Sequence, residues 1–188
     1  MRREDFEHVI AAAADVSGER EIVVIGSQAI LGSFPDPPQT MLFSAEADVY
    51  PLNDPTKAEA IDGSLGDGSY FHGTFGCFAH GVGPETAVAP AGWEDRLVRV
   101  EIPARVGRES GAVALCMEPH DLVLAKCVAG RERDWDFARD AIAAGLVKTD
   151  ELFDRIPQIP RPPADREHLR KMLHGLLTQI EQPHRKAS

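Results

Sequence analysis

The stretch Ile22-Val23-Val24-Ile25-Gly26-Ser27-Gln28-Ala29-Ile30-Leu31-Gly32 most narrows what this chain can become. Its first four residues are apolar and β-branched, the pattern of a buried strand. The run stops at Gly26-Ser27, and Ala29, Ile30 and Leu31 predict a helix that starts at once. The first turn of a helix carries unpaired backbone N–H groups and a partial positive charge. A glycine there lets an anion come close to the backbone. Gly26 and Ser27 are therefore candidate phosphate ligands. An ordinary strand-to-helix turn has the same composition, and no lysine precedes Gly32-Ser33 as a Walker pattern requires.

The segment Ser44-Ala45-Glu46-Ala47-Asp48-Val49-Tyr50-Pro51 adds a second constraint. On a strand, Glu46 and Asp48 point to one face with Cα atoms roughly 6.6 Å apart. Two neighbouring carboxylates repel unless a cation lies between them. A hard divalent ion, Mg²⁺ or Mn²⁺, suits such oxygen ligands. Two other expected strands carry metal-ligating side chains. His80 shares a face with Phe78 and Val82 in a strand expected over 75–82. Glu101 lies opposite Val98, Val100 and Ile102 in a strand over 97–102. An imidazole suits Mg²⁺ poorly.

The remaining pattern predicts an α+β chain. Phe6, Val9, Ile10 and Ala13 recur at helical spacing over 3–16. Residues 28–33 read as a short helix, broken by Phe34-Pro35-Asp36-Pro37-Pro38, a stiff loop. Asp54 caps a helix that has Pro55 at its first position and runs to about residue 65. A strand over 113–117 closes the sheet half. Helices then follow over 118–129, 134–144, 149–155 and 165–181, with a proline-rich linker at 156–163. The last helix carries Leu169, Met172, Leu173, Leu176 and Ile180 as its apolar stripe, and the tail from Gln182 reads as frayed. The expected division is a sheet core over 1–117 and a helical part over 118–188, packed on it as one unit.

Charge and cysteine usage limit the partners. Thirty acidic residues stand against 20 lysines and arginines, a net charge of −10. Such a field repels nucleic acid on average and favours a small molecule, a nucleotide with its metal, or a protein partner. There is no run of eighteen apolar residues and no apolar leader after Met1-Arg2-Arg3, so a cytoplasmic protein without a membrane span is expected. Cys77, Cys116 and Cys127 are scattered, which favours buried thiols over disulfides or a zinc site.

Strand, Gly-Ser, helix and an acidic-x-acidic strand together resemble the nucleotidyltransferase superfamily, which shares its fold with polymerase β. Ile25-Gly26-Ser27-Gln28-Ala29-Ile30 and Ser44-x-Glu46-x-Asp48-x-Tyr50-Pro51 are similar to a small, uncharacterised bacterial family within it. That family is distantly similar to abortive-infection nucleotidyltransferase toxins. Gly81-Val82-Gly83-Pro84-Glu85-Thr86 and Gly92-Trp93-Glu94-Asp95-Arg96-Leu97 extend the likeness, with a structural role for Trp93. So does Asp121-Leu122-Val123-Leu124-Ala125-Lys126 with Gly130-Arg131-Glu132-Arg133-Asp134.

The resemblance implies a mixed sheet flanked by helices, with a C-terminal helical part. It implies metal-dependent transfer of a nucleoside monophosphate from a nucleoside triphosphate to an acceptor hydroxyl. Glu46 and Asp48 would bind metal and act in catalysis, a third metal ligand on a neighbouring strand is implied with His80 and Glu101 as its candidates, and Lys126 would neutralise triphosphate charge. Gly26, Ser27, Arg131 and Asp134 would serve the nucleotide. Asp134 is expected either to hold Lys126 or Arg131 in place or to support the metal through water. The alternatives are a nucleotide- or partner-binding protein of the same fold with little turnover, and a member of a toxin–antitoxin pair.

Overall fold

The apolar run at 22–25 supplies β1 (Glu21–Val24), in which Ile22, Val23 and Val24 are fully buried. The computed structural model describes residues 1–104 and 111–182. In it, β1 pairs antiparallel with β2 (Glu46–Pro51) and parallel with β5 (Val113–Cys116). A short parallel strand, β3 (Phe78–Gly81), extends the sheet beyond β2, and antiparallel β4 (Val98–Glu101) extends it beyond β5. The strand order is β3-β2-β1-β5-β4. A mixed five-stranded sheet flanked by helices is the α+β fold expected, and it fits the nucleotidyltransferase-like arrangement.

Side chains alternate along each strand, and residues paired in register share a face. One face of the sheet therefore carries Val24, Val49, Cys116 and Val98. The other carries Glu46, Asp48, Phe78 and His80. Helix α1 (Arg3–Ser17) buries Phe6, Val9, Ile10 and Ala13, the stripe read from the sequence. Two glycines, one in a helix and one in a strand, let helices approach the first face at close range. A methyl on Gly32, in α2 (Ile30–Ser33), would meet Cys116 Sγ at 2.8 Å. One on Gly81 would meet the backbone of Ala58, at 2.7 Å from its carbonyl carbon, in α3 (Ala58–Leu65).

Three local details differ from the sequence reading. The helix expected from Gln28 is a single 3-10 turn, Ser27–Ala29, followed by only four α-helical residues. Phe75, expected to open a strand that instead begins at Phe78, is the last residue of helix α4 (Tyr70–Phe75). Its start is capped by Ser69, whose Oγ accepts the His72 N–H at 3.1 Å, and it ends at Gly76 with φ 69°. The rings of Phe71 and Phe75 lie against each other and against His8 of α1, so contact within the fold sets the local conformation. In β4, Val98 and Val100 are half-buried rather than core.

The chain divides into two compact units, one of residues 1–87 and 93–118, the other of 88–92 and 119 onward. The second is helical: α5 (Pro119–Ala129), α6 (Glu132–Ala143), α7 (Thr149–Arg155) and α8 (Pro163–Glu181). Leu152, Ile156, Ile159, Leu169, Leu173 and Leu176 are buried in it, whereas Met172 of the expected stripe is 44% exposed. Buried Asp121 pairs with Arg155 at 2.9 Å. Residues 88–92 belong here, since the Ala91 N–H donates to the Gln158 carbonyl at 2.9 Å. All three cysteines are buried and free, and burial pushes the thiols of Cys116 and Cys127 up to about 12. Among the described residues, no helix is long and apolar enough to cross a membrane. The frayed tail expected past Gln182 lies outside the described residues.

The close approach at Gly81 yields a stability test. Gly81→Ala should destabilise the fold by about 1–3 kcal/mol, because α3 backbone must move. Gly73→Ala, in a helix and with open space around it, should be neutral or stabilising by about 0.5 kcal/mol. Urea unfolding of the two variants measures both.

Candidate active site

Gly26 ends β1 against the acidic strand. The Ile25 N–H donates to the Asp48 carbonyl at 3.1 Å, which continues the β1–β2 ladder by one step. A methyl on Gly26 would fall on the Asp48 carboxylate, 2.8 Å from its Cγ. Gly26 has φ −84° and ψ −171°, an extended conformation open to any residue. The glycine is required by proximity, not by backbone angle.

Glu46 and Asp48 are half-buried on the outward side of β2, while Ala47 and Val49 between and beyond them are fully buried. Strand β3 runs parallel beside them and pairs Asp48 with His80. His80 Nδ1 lies 2.9 Å from Glu46 Oε1 and 3.1 Å from Asp48 Oδ1. Ionised carboxylates only accept hydrogen bonds, so the nitrogen is the donor in this arrangement. The three side chains each offer one ligand atom within 4.8 Å of the others, the one such group found among the described residues. All three are reachable by solvent, with 34%, 29% and 48% of the Glu46, Asp48 and His80 side chains exposed.

The donor set can be tested against a divalent ion. Octahedral bonds of about 2.1 Å place adjacent donors about 3.0 Å apart. The two nitrogen–oxygen separations match that edge, and two carboxylates supply the charge. The residues fit such an ion.

The same face continues to Tyr50, which is 4% exposed. Burial, with Glu94 adding to it, pushes its phenol up to about 12, so it stays protonated at neutral pH. Gln28 is a residue the sequence reading left without a role. It is fully buried, and its Nε2 donates to the Ser44 carbonyl at 3.1 Å. Ser44 Oγ in turn accepts the Glu46 N–H at 3.1 Å. Gln28 thus ties the Gly-Ser turn to the start of the acidic strand. The signal for it was a polar side chain inside an otherwise apolar run.

Glu101 is not brought to this group, which corrects its place as a possible third ligand. It sits on β4, with β5 and β1 between it and β2. Three strand spacings put it roughly 14 Å across the sheet. Its register partner is Val113, itself level with Glu21 at the far end of β1. There Glu101 joins an exposed ion network, 3.1 Å from Arg20 and 3.0 Å from Arg99.

In the helical unit, the other sequence candidates do come together. Asp134 is fully buried, receives Arg131 Nε at 2.6 Å and lies 3.2 Å from Lys126 Nζ. Burial pushes its carboxyl up, but the two cations outweigh that and hold it below the usual carboxylate range. Of the two roles read from the sequence, Asp134 is seen in the first, holding both Lys126 and Arg131. Lys126 also lies over the Phe137 ring, 5.6 Å from its centroid.

Residues 4–158 match the profile of a family described as "Nucleotidyltransferase of unknown function (DUF6036)". No curated protein and no solved structure matches the chain.

The Asp134 group predicts a pH effect. Its folded-state value lies below the unfolded one, so its stabilisation is complete above about pH 4 and is lost as pH falls through the folded value. Asp134→Asn should flatten that acid limb in thermal melts recorded from pH 7 to pH 3. Asp134→Ala, which removes the buried counter-charge of Lys126, should cost about 3 kcal/mol at pH 7.

Proposed function

The chain belongs to this family of nucleotidyltransferases, and from that premise we propose that it moves a nucleoside monophosphate from a nucleoside triphosphate to an acceptor hydroxyl, with a divalent ion held by Glu46 and Asp48. The observation that supports this reading is the contact of Gly26 with the Asp48 carboxylate. It puts a backbone open to phosphate beside a pair of metal-binding oxygens.

When bound, the ion supplies charge neutralisation at the phosphates and activation of the attacking hydroxyl. The chain's own residues do the positioning. Gly26 presents no side chain, so a phosphate can lie against the backbone at Ser27. The Ser27 hydroxyl and N–H are the donors assigned to it. Gln28 holds this turn and the acidic strand at a constant separation through Ser44. In the helical unit, Lys126 and Arg131 surround one carboxylate and leave a net positive charge, which suits an anionic group.

A second reading, binding without turnover, is favoured by the imidazole that occupies the third donor position. Pyrophosphate release separates the two. Release with any triphosphate and divalent ion supports transfer; binding with no release supports the second reading.

The site itself is tested by equilibrium binding of a non-hydrolysable triphosphate with Mn²⁺. Glu46→Gln combined with Asp48→Asn should weaken binding by about 10- to 100-fold with the thermal midpoint retained. Gly26→Ala should displace the Asp48 carboxylate and weaken binding by about tenfold. Unchanged affinity in the double variant removes the site from consideration.

A further inference from the structure

His80 is poorly explained as a structural residue. It lies on the edge strand β3, and 48% of its side chain is exposed, so it fills no core space. Its backbone is nonetheless closely held. The Val82 N–H donates to the Val49 carbonyl at 3.0 Å just beyond it, and Gly81 is pressed against the Ala58 backbone on the opposite face. The neighbouring Ala79 is fully buried. A solvent-accessible imidazole on a rigidly placed strand, with one nitrogen at 2.9 and 3.1 Å from two carboxylates, is a preorganised donor.

Resting on the metal-site reading above, we infer that His80 ligates the divalent ion through Nδ1, the ring then neutral with its one proton on Nε2 and the Nδ1 proton given up on binding, and that the resulting nitrogen-and-oxygen donor set selects first-row transition cations over Mg²⁺. Mg²⁺ gains little from nitrogen and sheds its water reluctantly. Imidazole suits the later first-row ions, whose affinities for mixed sites rise from Mn²⁺ through Co²⁺. Among the described residues, no further acid joins Glu46 and Asp48 to complete an all-oxygen set. The third donor is therefore nitrogen, and the choice of cation follows from it.

The experiment is calorimetric titration of the full chain, without nucleotide, with Mg²⁺, Mn²⁺ and Co²⁺. Wild type is compared with His80→Asp, His80→Ala and the Glu46→Gln, Asp48→Asn double variant. The double variant subtracts cation binding at surface histidines elsewhere. The quantity read is the Co²⁺-to-Mg²⁺ affinity ratio across variants, because an all-oxygen site also favours transition ions to some degree. His80→Asp adds a charge that strengthens binding of every divalent ion, and the ratio cancels that gain to first order.

The ratio should fall by at least about tenfold in His80→Asp. The visible absorption of the Co²⁺ complex should shift in the same variant as a nitrogen ligand is replaced by oxygen. His80→Ala should weaken Co²⁺ more than Mg²⁺. A ratio and spectrum unchanged in His80→Asp, with the double variant still losing the site, overturn His80 as a ligand and leave the carboxylate site standing. Cation binding equal in wild type and the double variant overturns the site reading and this inference together.

Discussion

The antiparallel register of β1 and β2 is the constraint from which the candidate site follows. Val24 lies opposite Val49, and the next ladder bond joins Ile25 to Asp48. Gly26 is the first residue past that bond, and it arrives against the Asp48 side chain. A shift of one residue would turn Glu46 and Asp48 into the core and bring Ala47 and Val49 outward. The fully buried Ala47 and Val49 hold the register, since exposing one face means burying two carboxylates. The apolar residues between the acids are thus as necessary to the site as the acids.

The two units solve the problem of clustered charge in opposite ways. In the sheet unit, two half-exposed carboxylates sit together beside one imidazole nitrogen, and negative charge exceeds positive. Solvent access makes that tolerable and leaves the group able to accept a cation. In the helical unit, a single fully buried carboxylate is enclosed by an ammonium and a guanidinium, and positive charge exceeds negative. Breaking a buried arrangement of that kind costs several kcal/mol, whereas an exposed one is worth little. The first is built to recruit charge from outside, and the second supplies its own.

Much of this was legible from the residues alone. The alternation Glu46-Ala47-Asp48-Val49 specifies strand and face at once, and the β1 run with its glycine stop is equally direct. Lys126, Arg131 and Asp134 could be grouped because a helix, a glycine and a second helix start bring them close in sequence. The choice between His80 and Glu101 could not be read, because both occupy outward positions on strands of similar pattern. Only the order β3-β2-β1-β5-β4 places one beside β2 and the other at the far edge. Helix α4 is illegible in the sequence for a related reason. Phe75 has a strand-forming side chain, and its ring contact with His8, more than sixty residues away, overrides that preference.

Strand β3 shows how four residues can divide two tasks. Ala79 and Gly81 face the helices, and their small size lets α3 approach until no methyl group could be added at Gly81. Phe78 and His80 face the acids. An edge strand ordinarily has freedom to twist or fray, since only one neighbour restrains it. Here the missing neighbour is offset by close packing from behind. The position of the imidazole nitrogen relative to two carboxylate oxygens is therefore set by a glycine and an alanine on the other side of the sheet. A larger residue at either would loosen a contact made by neither of them.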